Sequence, residues 1–168
     1  GVLTLEFPHL LRLLDECQFD TVYHEHFSYY SLHTASAILA KHDLRVFDVE
    51  ELTTHGGSLR VHACRAESSA FETTDAVTSL LDTEEETGLN SELTYHDFAS
   101  RVEQVKLQLL QFLMTQKEAG TQVAAYGAPA KGNTLLNYCG VRKDLLTFTV
   151  DRSPQKQDKF LPGTRIPV

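Results

Sequence analysis

Between residues 123 and 151 the chain reads as strand, glycine loop, helix and strand, all within about 30 residues. Residues 123–126 form a short apolar run of the buried-strand type, and 127–131 a tight loop. Residues 132–138 have a helical pattern, and 145–150 form a second apolar run that ends at Asp151. Parallel strands need a crossover between them, usually a helix, and that crossover is right-handed by general rule. The order of elements therefore predicts a βαβ unit and an α/β fold. One such unit cannot complete a parallel sheet buried on both faces. The sequence is accordingly expected to be a piece of a longer protein.

Upstream, Leu3, Phe7, Leu10, Leu11, Leu13 and Leu14 recur at roughly helical spacing, which predicts a helix within residues 3–17 that begins in earnest near Pro8. Residues 18–30 break the pattern with a run dense in His and Tyr. Ser31 is the expected N-cap of a short helix ending near His42. Residues 44–49 and 59–64 alternate as strands around a glycine-bearing connection, and so predict a hairpin or two strands joined by a glycine loop. Residues 68–120 read as helix with a break at 88–90, after which Ser91 opens a longer helix. Its stripe of Phe98, Val102, Val105, Leu109, Phe112 and Leu113 is suited to core or partner packing. The expected architecture is α/β: a βαβ unit with a long preceding helix and a β-hairpin, plus an N-terminal helix and loop segment.

Composition narrows the class. At 168 residues, with 42% hydrophobic and 23% charged side chains, the chain has enough apolar surface for a packed core. No run approaches the roughly 20 apolar residues of a membrane span, and the first 16 residues resemble no signal peptide. Cys17, Cys64 and Cys139 are widely separated, which argues against a disulfide framework or a zinc knuckle and for a reducing, cytoplasmic setting. The net charge of −8 is unevenly spread: −4 over residues 1–66, −9 over 67–103 and +5 over 104–168. The acidic middle disfavours nucleic acid, and such a block is most simply a solvated face. The basic last third is where an anion such as a phosphate would be received.

Three stretches have the composition of a chemical site. The first is Tyr23-His24-Glu25-His26-Phe27-Ser28-Tyr29-Tyr30. If extended, His24 and His26 share one face with Glu25 opposite. An imidazole takes protons near neutral pH, a carboxylate steadies its charged form, and a phenol donates to a developing oxyanion. Half-buried structural packing, or a metal held by two histidines and a glutamate, are the competing explanations, although the spacing matches no strong metal pattern. The second stretch is His55-Gly56-Gly57-Ser58, whose paired glycines permit positive φ and close backbone approach to a ligand, or simply turn a hairpin.

The third stretch runs from Tyr126 to Thr134, YGAPAKGNT. Lys131 precedes Gly132, so this is no Walker A loop, and Pro129 replaces the glycine that lets backbone meet a pyrophosphate in the dinucleotide fingerprint. What survives is a loop feeding a helix N-terminus beside a lysine, a setting that favours anions. Tyr126, Gly127, Lys131 and Asn133 are the candidate ligand contacts there. Asp151 stands where the fingerprint has its ribose-binding carboxylate.

At these residues the chain resembles the sugar C-methyltransferases, enzymes that methylate a carbon of nucleotide-linked keto-deoxysugars. The matching stretches are EFPHLLRLL, FDTVYHEHFSYYSL, LRVFDVEELTTHGGSLRV, VAAYGAPAKGNTLLNYCG and VDRSPQKQDKFLPGTRIPV, in the family's order from end to end. The resemblance implies S-adenosylmethionine as methyl donor and a nucleotide-diphosphate sugar as acceptor, with no resident metal in this portion. By position it implies His26 as general base, with Tyr23 and Glu25 lining the same pocket and His24 in support. It places residues 1–30 at the end of the donor-binding domain together with the catalytic segment. Residues 31–168 then form a C-terminal, substrate-binding, Rossmann-like domain truncated at its end. The zinc cysteines and the glycine-rich donor site of complete family members have no counterpart in this sequence, so the isolated chain is expected to be inactive. A non-catalytic nucleotide-binding or interaction module is the alternative, but neither role needs both the His26 segment and the Gly127 loop.

Overall fold

The computed structural model describes residues 1–168, which fall into two units: Gly1–Gln18 with Phe27–Phe98, and Phe19–His26 with Ala99–Val168.

The first unit is built on a three-stranded antiparallel sheet of β1 (Val2–Pro8), β2 (Leu44–Leu52) and β3 (Ser58–Arg65), with β3 in the centre. Leu59, Val61 and Ala63 alternate along β3 and are fully buried. The residues between them, Arg60 and His62, face the other side and pair with Glu6, Glu50 and Thr4. Helices α2 (Leu32–Ala40) and α3 (Asp75–Glu86) supply Leu32, Leu39, Val77 and Leu80 to the core on the apolar side. Helix α1 (Leu10–Asp15) buries Leu11, Leu13 and Leu14 in a smaller cluster with Leu89.

Two expectations fail in this unit. Residues 2–8 form a strand, so the chain does not open with a helix; the helix begins only after Pro8. Val2-Leu3-Thr4-Leu5-Glu6-Phe7 is itself an alternating, β-favouring run, and its partner is β3, with Leu5 opposite Val61 and Phe7 opposite Leu59. Residues 68–74 are likewise not helical. The Arg45 guanidinium draws in the Ser68 and Phe71 carbonyls, and Phe71 stacks on Phe47 at 4.6 Å. The remaining expectations hold: Ser31 caps α2 by accepting from the Thr34 amide at 3.0 Å, and β2 and β3 pair as a hairpin.

The second unit contains the expected βαβ element. Strands β4 (Ala124–Tyr126) and β5 (Phe148–Val150) pair in parallel and are joined through α5 (Ala130–Cys139). Leu113, Cys139, Val141, Leu146, Leu161 and Ile166 form its core. After β5 the chain folds back, so that the Thr149 amide donates to the Pro167 carbonyl at 2.9 Å and the Val168 amide to the Lys159 carbonyl at 2.9 Å. Helix α4 (Glu92–Glu118) contributes its first residues to the first unit and the rest to the second. Of its apolar stripe, Val102 and Leu113 are buried whereas Phe112 is exposed. Helices and strands together make the chain α/β in content, and no helix is long and apolar enough to cross a membrane.

Candidate functional site

Residues 19–26 are stiffened by short-range backbone bonds. Phe19–Thr21 is a single 3-10 turn. The Val22 amide then donates to the Phe19 carbonyl at 2.9 Å, the Tyr23 amide to Thr21 at 3.0 Å and the His26 amide to Tyr23 at 3.0 Å. The segment is therefore a turn, not an extended strand, and His24 and His26 are not grouped by alternation. Both rings instead meet Tyr23. His26 stands edge-on to the phenol ring at 5.0 Å and 81°, and His24 at 6.1 Å and 63°. Tyr23 and His26 are half-buried, whereas His24 and Glu25 are exposed. An imidazole and a phenol in contact at a turn can serve as a proton acceptor beside a hydrogen-bond donor.

The Gly127 loop belongs to the same unit. Gly127 adopts φ +98°, which glycine reaches without strain. Its amide donates to the Val150 carbonyl at 2.6 Å, and its carbonyl accepts from the Thr149 hydroxyl at 2.8 Å. The next amide, Ala128, donates to Asp151 Oδ2 at 2.7 Å, and Ser153 donates to Oδ1 at 2.8 Å. Lys156 Nζ donates to the Ala128 carbonyl at 2.9 Å and lies 3.5 Å from Asp151 Oδ2. The Ser153 and Ala128 amides, with Lys156 nearby, hold the Asp151 carboxyl below the usual aspartate range. Asp151 thus fastens the loop to the end of β5.

Pro129 precedes the first turn of α5, in which Lys131 is the second residue. First-turn amides have no intrahelical acceptor, so this end of α5 is electropositive. Tyr126 stands 78% exposed at the carboxyl end of β4, beside the loop. Asn133 is engaged along the helix, its Oδ1 accepting from Asn137 at 3.3 Å. Lys156 was not singled out in the sequence; the only signal for it is its place in the basic last third.

His55, Gly56, Gly57 and Ser58 belong to the first unit, whereas the other candidates belong to the second. Three successive positive φ values, 56°, 86° and 115° at residues 55–57, turn the β2–β3 connection. The space beside its glycines is filled by α1 and the residues after it. A Cβ on Gly57 would come within 2.8 Å of Arg12 Cγ, and one on Gly56 within 2.6 Å of Gln18 Nε2. Gln18 donates to the Gly56 carbonyl at 2.7 Å, and the buried Ser58 hydroxyl donates to the Thr54 carbonyl at 3.0 Å. A cleft of about 360 Å³ opens beside the turn between Arg12, Glu16, Glu51 and Gly57.

The acidic middle holds one residue that is no part of a solvated face. Glu84 is 2% exposed and accepts from the Leu32 amide at 2.6 Å, from the His33 amide at 2.8 Å and from His9 Nε2 at 2.8 Å. Burial alone would raise its carboxyl; the His9 hydrogen bond, the two amides and the Coulombic influence of His9 outweigh that and hold it below the ordinary value. Burial together with the Glu84 charge pushes the Tyr95 phenol up. Nothing in the run Glu84-Glu85-Glu86 distinguishes the first glutamate from its neighbours.

With this geometry in hand, two comparisons place the chain. C-methyltransferase NovU of Streptomyces niveus is 42% identical to it over 168 residues, which is 100% of this chain and 40% of NovU. The chain therefore spans two-fifths of the length of that curated relative. A family model described as the C-methyltransferase C-terminal domain matches residues 53–168, well over half of the chain. The resemblance drawn from the motifs is borne out at that level: the chain belongs to the C-methyltransferase C-terminal domain family.

Proposed function

We propose that this chain is the acceptor-holding, C-terminal portion of an S-adenosylmethionine-dependent methyltransferase. Its acceptor is the carbon next to the ketone of a nucleoside-diphosphate keto-deoxysugar. The observation that carries the reading is that the phenol–imidazole pair of Tyr23 and His26 and the electropositive Gly127 loop lie in one folded unit. A sugar carbon must be activated before it accepts a methyl group, and removing a proton next to a ketone does this. His26 takes that proton, and the Tyr23 hydroxyl donates a hydrogen bond to the enolate oxygen. His24 and Glu25 sit at the exposed rim of the turn in support. Lys131 and the first turn of α5 receive the diphosphate, with Tyr126 alongside.

The methyl donor is assigned elsewhere in the complete enzyme, since the family's glycine-rich donor motif has no counterpart among these residues. The paired glycines Gly56 and Gly57, where backbone would approach a ligand most closely, are backed by Gln18 and Arg12 side chains. The part assigned to this chain ends at the enolate, and the chain by itself is expected to be inactive. In domain terms, the resemblance assigns residues 1–30 to the end of the donor-binding part, but the base-bearing residues 19–26 fold in one unit with the βαβ element of the Rossmann-like acceptor domain proposed within residues 31–168.

Calorimetric titration of the chain with a thymidine-diphosphate sugar and, separately, with S-adenosylmethionine tests the assignment. Binding of the nucleotide sugar alone is the expected result. Tight binding of the methyl donor contradicts the division of labour, and the absence of any nucleotide-sugar binding removes the acceptor site from this chain.

A further inference from the structure

The base-bearing turn and the diphosphate loop are separated by about 100 residues of sequence, yet one aromatic contact joins the elements that carry them. Phe19 is 8% exposed and packs on Tyr138 of α5, with ring centroids 5.0 Å apart and planes inclined at 59°. The Tyr138 ring also lies under Lys106 of α4, whose Nζ is 5.4 Å from the centroid. From Phe19 the three short-range backbone bonds described above run to His26 without a free link. From Tyr138, α5 runs back to Pro129, and the Gly127 loop before it is held to β5 through Val150, Thr149 and Asp151. A displacement of Phe19 relative to Tyr138 therefore moves His26 relative to the loop, while each end keeps its own internal bonds.

We propose that Phe19 and Tyr138 are positioning residues for the methyl-transfer site: their contact sets His26 in register with the diphosphate held at α5. This rests on the function proposed above and adds to it the pair that fixes the distance between the two ends of the acceptor. Neither ring touches substrate in this scheme. Their loss leaves the anion loop intact and misplaces the base, so turnover falls while diphosphate affinity stays. A purely structural pair would lose both together.

The test uses the complete methyltransferase polypeptide with the variants Phe19→Ala, Tyr138→Leu, Tyr138→Phe and His26→Gln. It reads kcat and, by calorimetry, the Kd for thymidine diphosphate. Misplacement by about an ångström costs up to roughly 100-fold in rate. Phe19→Ala and Tyr138→Leu are each expected to lower kcat by about 10- to 100-fold, with Kd within about threefold of the parent. Tyr138→Phe, which keeps the ring, is expected to restore kcat. Tyr138 is 43% exposed, so its substitution remains informative if Phe19→Ala does not fold. Turnover within twofold of the parent in a folded Phe19→Ala or Tyr138→Leu variant overturns the proposal. So does a matching loss of thymidine diphosphate affinity. If His26→Gln keeps full turnover, the base assignment itself fails and takes this inference with it; loss in His26→Gln with retention in the other two refutes the positioning role alone.

Discussion

His9 Nε2 stands 2.8 Å from Glu84 Oε1, with both side chains buried and 75 positions apart in the chain. The same carboxylate accepts the first two amides of α2, so one charge closes a helix N-terminus and pairs with a histidine at the junction of β1 and α1. Removing one member of such a group leaves its partners buried and unsatisfied, whereas an exposed ion pair is worth little.

Glu84→Ala is accordingly expected to destabilise the fold by about 3–5 kcal/mol. The pH dependence follows from the lowered carboxyl. Its stabilising contribution is complete above the ordinary value of 4.5 and is lost as pH falls through the depressed folded value. Denaturant unfolding between pH 7 and pH 3 shows this as an acid limb that Glu84→Gln flattens. Equal pH slopes for parent and variant would mean that the carboxylate is not the group responsible.

Gly57→Ala is expected to cost about 1–3 kcal/mol, because φ +115° is strained for any residue with a side chain. The new methyl also meets the Arg12 stem, whose Cβ is only 2.9 Å away. Truncation in Arg12→Ala keeps that Cβ, so the double variant Arg12→Ala/Gly57→Ala should be no more stable than Gly57→Ala alone. Recovery in the double variant, followed by thermal melting, would mean that the Arg12 Cγ contact at 2.8 Å, and not the backbone strain with the remaining Cβ contact, carries the cost.

Much of the fold is legible in the residues, and the misses share a cause. Ser31, the β2–β3 alternation and the β4–α5–β5 order are local signals and each is present, although α5 starts two residues before the expected position 132 and β5 is confined to Phe148–Val150, with Leu145 of the expected 145–150 strand in a turn. β1 was missed because Leu3 and Phe7 fit a helical period continued by the true helix at Leu10, while its strand partner β3 lies more than 50 residues away. Glu84 is hidden for the same reason: its donors come from Leu32, His33 and His9. In the candidate site the residue types in the Tyr23–His26 turn and the Gly127 loop were readable. Their common unit depends on Phe19 meeting Tyr138, a contact that no local pattern announces.

Asp151 is expected to act first on the loop. Its carboxyl lies below the usual range, so the loop is fastened above the ordinary aspartate value and released as pH falls through the depressed one. The Ala128 and Ser153 amide resonances should titrate together along that acid limb, and Asp151→Asn should abolish the shared transition. Independent titration of the two amides would separate Asp151 from the loop.

Lys131→Ala is expected to weaken binding of a nucleoside diphosphate by about tenfold, the loss of one charge-assisted contact. Lys156→Ala acts through the Ala128 carbonyl and should give a smaller loss, accompanied by faster hydrogen exchange at Ala128. An unchanged dissociation constant in Lys131→Ala sinks its assignment to the diphosphate.

The most direct test of the central claim follows the proton. The complete polypeptide is incubated in deuterium oxide with the nucleotide-linked keto-deoxysugar and no methyl donor, and deuterium entry at the carbon next to the ketone is followed by NMR. The expected result is exchange in the parent protein, its loss in His26→Gln, and nucleotide-sugar affinity within a few-fold of the parent. Exchange at the parent rate in His26→Gln would show that another group removes the proton.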